Sequence, residues 1–566
     1  MRKKAGRNIR ENLRNDIRKD VRNDVRKDIR KNIGEKVIAL ITGLVLLVLS
    51  VPAVAPTQEA VAASKYIKVE EFIKYLVEEM QYPIYKDTED RYIDAAIQAG
   101  ILKEGDFKDY SAYLIRTDCV VLANRAEKRM YGAYGYTEEV YEFLKGCEYF
   151  KGRLFYNVKG ELFPKGETSD SYSAEQFLEE EVLPRITPCF KFENGLRVWY
   201  WIDTNDDGST KAEYIEIGYP SSDPYNEIAI EPFEEDHYLI QAWKKIIDGD
   251  RRVKAVYDLR ISDLDKIEKS KRQDVAEIVA KGIIKGYSNG MYVQSREFRG
   301  SKKITVSGAK SVVALVLDKY IRPQLSPDGQ LIRTENLPKN SYEYPYILEC
   351  FPNDFYEMRY DYVWMNSYKD GTMEKSTYDY PAELGNEGLL KSYEKHHSLG
   401  MKPYEYFDTI MEKAKQYLDC TFNVDYRTVD KEWIEKAADS YMPYGGTSIY
   451  DHIDEYLDAM KKNHVIVESS LISLEPSTLY RHETTFYVRA YVRYRISADS
   501  IDVEEDNELI FGSKYSTRLI DLKNGVWTYG YYDIDFGCSN INNSIYMEFG
   551  VDPFVGISDS IYKGYK

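Results

Sequence analysis

The stretch Gly282-Ile-Ile-Lys-Gly-Tyr-Ser-Asn-Gly-Met-Tyr-Val293 separates two runs of helical character. Glycine is the usual residue where a helix ends in the left-handed conformation, and it also lets the next segment pack closely. The pair Asn289-Gly290 is typical of a tight turn. These residues predict a corner between two helices, with Lys285 and Tyr287 within it.

The same order of features occurs earlier in the chain. Ala96-Ile-Gln-Ala-Gly-Ile-Leu-Lys103 aligns with Val279-Ala-Lys-Gly-Ile-Ile-Lys285, and Leu114-Ile-Arg-Thr-Asp118 aligns with Ile304-Thr-Val-Ser-Gly308. Residues 66–80 have helical spacing and match only the closing helix of such a unit. The sequence therefore predicts a degenerate internal repeat, whose helix pairs must pack together because one pair cannot cover its own apolar face.

The N-terminal 63 residues differ in composition from the rest. Residues 1–36 contain 14 Lys or Arg and six Asp or Glu in a four-residue cycle, which indicates a basic low-complexity leader or a helix on an anionic membrane surface. An apolar run, Val37–Val51, then precedes an Ala-x-Ala site at Ala60–Ala62. This order predicts a secretory signal peptide over 37–63, with an uncleaved membrane anchor through 37–55 as the alternative. Either way, the remaining chain is expected outside the cell.

Without residues 1–62 the chain has 63 Lys or Arg and 87 Asp or Glu, a net charge of −24. So acidic a body argues against nucleic acid and anionic lipid as partners, because both would repel it. Membrane contact is expected only through residues 37–55. The six cysteines are scattered singly without a C-x-x-C pair, so neither a disulfide scaffold nor a zinc site is predicted. One or two disulfide bonds are the open alternative.

Helical and strand-like segments alternate along the rest of the chain, so the predicted fold class is multidomain α+β. Asp206-Asp207-Gly208 separates two β-prone runs and predicts a hairpin. Residues 403–463 have helical spacing, whereas 464–550 contain alternating strands such as Glu483–Ile496. The expected segments are a leader at 1–36, a signal peptide or anchor at 37–63, helical repeat regions at 64–130 and 256–321, an inserted α/β-hairpin region at 131–255, a Pro/Tyr-rich connector at 322–400, and a C-terminal helix plus antiparallel-sheet domain at 401–566.

A helix, the corner Gly282–Tyr287, an Asn-Gly turn and then Ile304-Thr305 before a second helix resemble the S-layer homology repeat of bacterial surface proteins. The resemblance implies helical repeats that dock non-covalently onto secondary cell-wall polysaccharide. In that family an arginine at the helix start and residues of the glycine corner hold an anionic sugar group, aided by N–H groups left free at the helix N-terminus. Carried over residue by residue, this points to Lys103, Arg116, Lys285, Gly286 and Tyr287. For the glycines, a purely architectural role is the alternative.

The chain departs from the family pattern at two of the three arginine positions. Val306 and Val69 stand where arginine is expected, and Ser307-Gly308 replaces the acid that normally follows. Two interpretations remain, namely weak wall attachment or repeats retained mainly as a structural platform.

Asp203, Asn205 and Asp207 have the order of ligands at the start of a calcium loop, with Gly208 next. The twelfth position is Tyr214 rather than glutamate, so a solvated hairpin tip is the alternative. No other cofactor is expected. The sequence contains no H-E-x-x-H, P-loop or dinucleotide fingerprint, and an enzyme is not predicted.

These features together predict an exported cell-surface protein, attached to cell-wall polysaccharide through its repeats and carrying a C-terminal domain of unassigned binding role. One alternative is a membrane-tethered exported scaffold held by residues 37–55. Another is a glycan-active enzyme that uses residues 131–255 or 401–566.

Overall fold

The computed structural model describes sixteen stretches of the chain, all within Lys65–Lys566. They are residues 65–85, 88, 90–132, 138–150, 152–157, 197–204, 207, 210–220, 230–231, 233–234, 236–358, 403–441, 449–482, 485–500, 523–539 and 548–551. The helices are α1 (Val69–Glu79), α2 (Arg91–Gln98), α3 (Arg116–Tyr131), α4 (Glu138–Gly146), α5 (Tyr238–Ala255), α6 (Arg272–Ala280), α7 (Val306–Leu317), α8 (Asn353–Glu357), α9 (Pro403–Phe422), α10 (Lys431–Ser440) and α11 (Ile449–Asn463). The strands are β1 (Cys147–Phe150), β2 (Arg153–Asn157), β3 (Arg197–Thr204), β4 (Thr210–Pro220), β5 (Ile230–Glu231), β6 (Tyr287–Ser288), β7 (Arg296–Glu297), β8 (Val424–Asp425), β9 (Ile466–His482), β10 (Thr485–Ser497), β11 (Thr528–Ser539) and β12 (Glu548–Val551).

Three helices, α1, α3 and α7, begin at a shared backbone contact. The N–H of Ile67 donates to the carbonyl of Ile304 (3.2 Å), Ile304 donates to Leu114 (3.0 Å), and Leu114 donates back to Ile67 (2.9 Å). Each helix starts two residues beyond its member of this cycle. Leu114 and Ile304, which the sequence alignment pairs, therefore hold corresponding places around an approximately three-fold arrangement.

The core beneath this cycle is built from the apolar stripes of the helices. In α1 the buried residues recur at helical spacing, Val69, Phe72, Ile73, Leu76 and Val77. They pack with buried side chains of α3, α6 and α7 in one cluster. The corner glycine Gly282 has a φ of +71°, so α6 ends in the left-handed conformation that the sequence predicted.

Between α3 and α6 the chain forms α4, an antiparallel sheet and α5. The sheet has the order β1-β2-β4-β3, with β5 paired to β4, and the predicted hairpin across Asp206–Gly208 is formed by β3 and β4. Trp243 of α5 donates its ring N–H to the carbonyl of Cys147 (2.8 Å), which fixes α5 against β1. After Ala255, α5 continues into a π-helical turn, Val256–Arg260.

The C-terminal part consists of α9, α10 and α11 packed on an antiparallel sheet of order β12-β11-β10-β9-β8. This arrangement is the helix-plus-sheet combination expected from the alternation in residues 464–550. A salt bridge lies inside it, since Arg489 and Asp533 are both fully buried and bond at 2.8 Å and 3.1 Å.

The described part of the connector, residues 322–358, packs its aromatic side chains against this sheet. Tyr344, Phe351, Phe355 and Tyr356 are buried together with sheet tyrosines such as Tyr491. Tyr292, from the corner, also stacks on the Tyr491 ring at 3.7 Å with an angle of 1° between the planes. The end of the corner is therefore part of the same aromatic cluster as the C-terminal sheet.

The mixed α+β class is confirmed, whereas the segment boundaries stay predictions. Residues 173–186, whose sequence Ser-Ala-Glu-Gln-Phe-Leu-Glu-Glu-Glu-Val-Leu-Pro-Arg-Ile also predicts a helix, and connector residues 359–400 lie outside the described residues. Cys119, Cys147, Cys350 and Cys420 are free thiols, and no bridge joins them. No helix in the described ranges has the length and hydropathy needed to cross a membrane; residues 37–55 lie outside those ranges.

Candidate functional site

Arg116 is the first residue of α3, and the structure places it against the corner of the other repeat region. Its guanidinium donates from Nε to the carbonyl of Phe298 (2.9 Å) and from Nη2 to the carbonyl of Lys285 (3.1 Å). The residue is only 9% exposed, and this burial lowers the pKa of Arg116 below its usual value, although an arginine stays charged at neutral pH. Arg116 therefore ties the start of α3 to Lys285 in the corner and to Phe298 beyond it, 169 and 182 residues further along the chain.

The aromatic ring of Tyr287 lies at the centre of a group of cations. The guanidinium carbons of Arg116 and Arg299 are 5.0 Å and 4.5 Å from the ring centroid, and Lys302 Nζ is 4.6 Å from it. All three distances are within the range of about 6 Å in which a cation is attracted to a ring face. We call Tyr287, Arg116, Arg299 and Lys302 the Tyr287 cage. Arg299 and Lys302 are exposed and Tyr287 is half-buried, so the cage opens to solvent.

The backbone around the cage is held by charged side chains. Asp263 is buried, and its carboxylate accepts from the N–H groups of Phe298 (2.6 Å) and Arg299 (2.8 Å). Arg296 Nε donates to the carbonyl of Gly286 (2.9 Å). A methyl group on Gly286 would lie 2.8 Å from Arg296 Cβ and 2.9 Å from a backbone oxygen of β7, so the hairpin β6–β7 requires glycine here.

The start of α3 itself offers less to an anion than the resemblance implied. The N–H of Arg116 donates to the carbonyl of Lys302 (2.9 Å), and that of Thr117 donates to Gly300 (3.1 Å). The expectation of free N–H groups at this helix start is therefore wrong for these two residues. Positive charge at the site comes from side chains instead.

The cationic side chains outnumber the acids that pair with them. Glu297 pairs with Arg299 at 2.7 Å, whereas Asp263 is occupied by backbone N–H groups. Lys285 is exposed beside the cage. In the part of the chain that the structure describes, Lys285 and Lys302 have no carboxylate partner. The cage is thus a local positive site in an acidic chain.

Lys103 lies at the other glycine corner, apart from these residues. Val69 holds the place there that Arg116 holds at the second corner, because its N–H donates to the carbonyl of Ala112 (3.0 Å) as that of Arg116 donates to Lys302. Val69 is buried at 2% exposure. The nearby carboxylate, Asp106, accepts from the N–H of Lys103 (2.8 Å) and pairs with Arg125. Although burial alone would raise it, the hydrogen bond from Arg125 lowers the pKa of Asp106. The structure brings together four of the five predicted sugar-binding residues, and Lys103 remains outside.

Comparison with known proteins identifies the region that contains the cage. The model of the S-layer homology domain family matches residues 260–305. The protein carries an S-layer homology domain. The match begins in the π-helical turn and ends just before α7, so it includes Asp263, the corner and the basic loop of Arg299 and Lys302. S-layer homology domains are cell-surface binding modules, which indicates that the protein is located at the cell surface. Neither the curated proteins nor the solved structures gave a match.

Arg299 and Lys302 were not predicted from the sequence. Their signal was the run Ser295-Arg-Glu-Phe-Arg-Gly-Ser-Lys-Lys303, which is basic within an acidic chain. The two repeat regions differ in loop length at this point, so the alignment carried no information about the run. The position of this basic run directly before Ile304 is the feature of the sequence that would have indicated Arg299 and Lys302.

The sequence also contains Gly286-Tyr-Ser-Asn-Gly290, which has the G-x-S-x-G spacing of a hydrolase nucleophile. Ser288 lies in the short hairpin strand β6, and its Oγ accepts from the N–H of Gly290 at 3.2 Å. That nucleophile requires a sharp strand-to-helix turn, whereas β6 is followed by a hairpin to β7. The spacing therefore has no catalytic context in this fold.

The calcium prediction concerns the tip of the β3–β4 hairpin. Asp203 is in β3 and Asp207 follows the strand, whereas Asn205 lies outside the described residues. Among the residues that are described, no group of three or more His, Cys, Asp or Glu side chains could hold a metal ion. Calcium binding by Asp203, Asn205 and Asp207 stays a prediction.

Proposed function

We propose that the S-layer homology domain attaches this exported protein to the cell wall by binding anionic groups of a secondary wall polysaccharide at the Tyr287 cage. The observation that carries the proposal is the convergence of three cations on one half-exposed ring, with Lys285 exposed beside them. A carboxylate on a sugar would pair with Arg299 and Lys302, while the ring face of Tyr287 would lie against the sugar. The role is one of binding rather than catalysis.

Each residue has a distinct part in this proposal. Arg299 and Lys302 are exposed and supply the direct contacts. Arg116 is buried and holds the carbonyls of Phe298 and Lys285, so it positions the cage and adds a charge beneath the ring. Gly286 allows the hairpin to close on Tyr287. The first corner, with Lys103 and Val69, lacks the corresponding arginine and is expected to bind weakly.

The test is retention of the full chain on purified secondary wall polysaccharide. A hydrogen bond to a charged group contributes about 1.5–3 kcal/mol, so Arg299→Gln and Lys302→Gln should each weaken binding roughly tenfold or more. Binding should also weaken as salt rises, because the exposed charges are screened.

The matched control is Lys310→Gln on α7, which removes an exposed lysine that lies 5.4 Å from another tyrosine ring, that of Tyr75. This variant should bind as the unaltered protein does. If Arg299→Gln, Lys302→Gln and Lys310→Gln all bind equally well, the cage is not the attachment site and the domain is a structural platform.

A further inference from the structure

A cleft of about 420 Å³ shares no lining residue with the Tyr287 cage. Its walls are the end of α5 with the π-helical turn Val256–Arg260, the chain just beyond the corner, and the first half of α9; β9 also lines it. This volume falls within the range of about 300–1,000 Å³ that pockets for small molecules occupy. The cleft therefore has the size of a ligand site.

Apolar side chains make up much of the lining, and several of them are only partly covered. The partly exposed ones are Leu259, Val293, Met411, Leu471, Ile472 and Pro476. Leu259 is 55% exposed. Apolar surface in contact with water is unfavourable, so a ligand that covers these side chains would gain free energy by removing them from water.

Three ion pairs neutralise most of the charged groups of the walls: Arg251 with Asp408, Arg260 with Asp328, and Lys254 with Asp258. Lys415 pairs with Asp419, and the exposed Glu412 adds a negative charge. The pair between α5 and α9 is forked, with Arg251 Nε 3.1 Å and Nη2 2.5 Å from the two carboxylate oxygens of Asp408. An anionic ligand would have to displace one of the paired carboxylates and would be repelled by Glu412. The cleft therefore disfavours an anion, and its apolar walls favour a ligand without charge.

The Tyr346 hydroxyl is a polar group available in the cleft. Tyr346 lines the cleft and is half-buried, and its hydroxyl makes no hydrogen bond within the described part of the chain. A phenol hydroxyl can both donate and accept. It would bond to a single carbonyl, hydroxyl or amide on a ligand otherwise in contact with apolar walls.

The π-helical turn is a second sign of function at the same place. Such turns are rare and are found frequently at functional sites. Asp258, Leu259 and Arg260 of this turn all line the cleft. The unusual backbone and the uncovered apolar surface thus coincide.

We propose that this cleft binds an uncharged, mainly apolar small molecule, with the Tyr346 hydroxyl bonding to its polar group. This site is separate from the Tyr287 cage and does not depend on polysaccharide binding. It adds a ligand of a different chemical class where residues of the S-layer homology domain and of β9 line one cleft.

The test uses the neutral fluorescent probe N-phenyl-1-naphthylamine and its anionic relative 8-anilinonaphthalene-1-sulfonate with the full chain. The neutral probe should bind in a saturable one-to-one manner and at least tenfold more tightly than the anion. Ser295→Trp, which places a large ring in the cleft, should abolish the saturable signal. The apolar run Val37–Val51 is common to all variants, so differences between them report the cleft.

Tyr346→Phe keeps the ring and removes only the hydroxyl, so it should weaken binding of a neutral probe that bears a hydroxyl, 1-naphthol, roughly threefold to tenfold. Tyr342→Phe is its control, because Tyr342 is 82% exposed and does not line the cleft. If Ser295→Trp does not fold, as judged by circular dichroism, the Tyr346→Phe and Tyr342→Phe pair decides. Any of three results would overturn the proposal. They are equal 1-naphthol binding by Tyr346→Phe and Tyr342→Phe, unchanged saturable probe binding by folded Ser295→Trp, and tighter binding of the anionic probe than of the neutral one.

Discussion

Glu475 is expected to make the C-terminal sheet less stable as pH rises through neutrality. Its side chain is fully buried in β9. Oε1 accepts from the Tyr356 hydroxyl (3.0 Å), and Oε2 accepts from the N–H groups of Ser477 (2.5 Å) and Thr478 (3.2 Å). Burial raises the pKa of Glu475 to about 8, since the hydrogen bonds from Ser477 and Tyr356 only partly offset the loss of water and the charge of Asp328 adds to the rise.

The sign of the effect follows from proton binding. Between the usual glutamate pKa of 4.5 and about 8, the folded protein keeps the Glu475 proton while the unfolded chain releases it. Stability from this group is therefore fully present below the lower value and is lost as pH rises towards the upper one. The slope is about 1.4 kcal/mol per pH unit, so the step from pH 5.5 to 7.5 should cost about 2–3 kcal/mol.

Glu475→Gln removes the ionisation and keeps the size of the side chain. Its free energy of unfolding should fall less steeply with pH, by about 1.4 kcal/mol per unit. Urea denaturation followed by tryptophan fluorescence at pH 5.5, 6.5 and 7.5 measures both slopes. Glu432→Gln, which removes a carboxylate that is 72% exposed on α10, is the matched control. Parallel pH profiles for Glu475→Gln and the unaltered protein would refute the reasoning.

Three further changes test how the site and the sheet are held. Gly286→Ala should lower the free energy of unfolding by about 1–3 kcal/mol through overpacking against β7 and should weaken polysaccharide retention. Gly100→Ala has nothing within 4 Å of the new methyl group, so it should cost only the left-handed strain of about 1–2 kcal/mol and leave retention unchanged. Equal losses of the two variants in thermal denaturation and in retention would contradict this. Arg116→Lys keeps the charge but loses the fork to two carbonyls, so unfolding free energy should fall by about 1–3 kcal/mol, and no loss in urea denaturation would show that the fork does not hold the corner. Asp533→Asn leaves the Arg489 charge buried without its carboxylate partner and should lower the free energy of unfolding by about 3–5 kcal/mol in the same assay. The double variant Arg489→Met/Asp533→Leu should restore most of this loss. A double variant no more stable than Asp533→Asn would count against the ion pair as the cause.

The sequence predicted the corner and the aligned helix starts because glycine and turn residues determine local backbone conformation. Gly282 adopts the left-handed conformation that its position after α6 required. Leu114 and Ile304, paired by alignment, occur in the same hydrogen-bonded cycle. Alternation of apolar and polar residues likewise indicated β10 and β11, since side chains on a strand point to opposite faces in turn.

The composition of the cage depended on contacts that local patterns do not contain. The family resemblance indicated both Arg116 and the corner at Lys285 to Tyr287, but in separate repeat regions. Which corner Arg116 faces is determined by the order in which the three helix starts are arranged around their shared cycle. The same holds for the cleft, because α5, α9 and β9 are distant in sequence and meet only after folding.

The central claim is that the Tyr287 cage recognises negative charge on the wall polysaccharide. Isothermal titration of the full chain with purified polysaccharide, before and after its carboxylates are converted to neutral amides, tests this most directly. The claim predicts clear binding of the unmodified polymer, at least tenfold weaker binding of the amidated polymer, and no difference between the two polymers for the Arg299→Gln/Lys302→Gln double variant. Equal affinity of the unaltered protein for both polymers would contradict it.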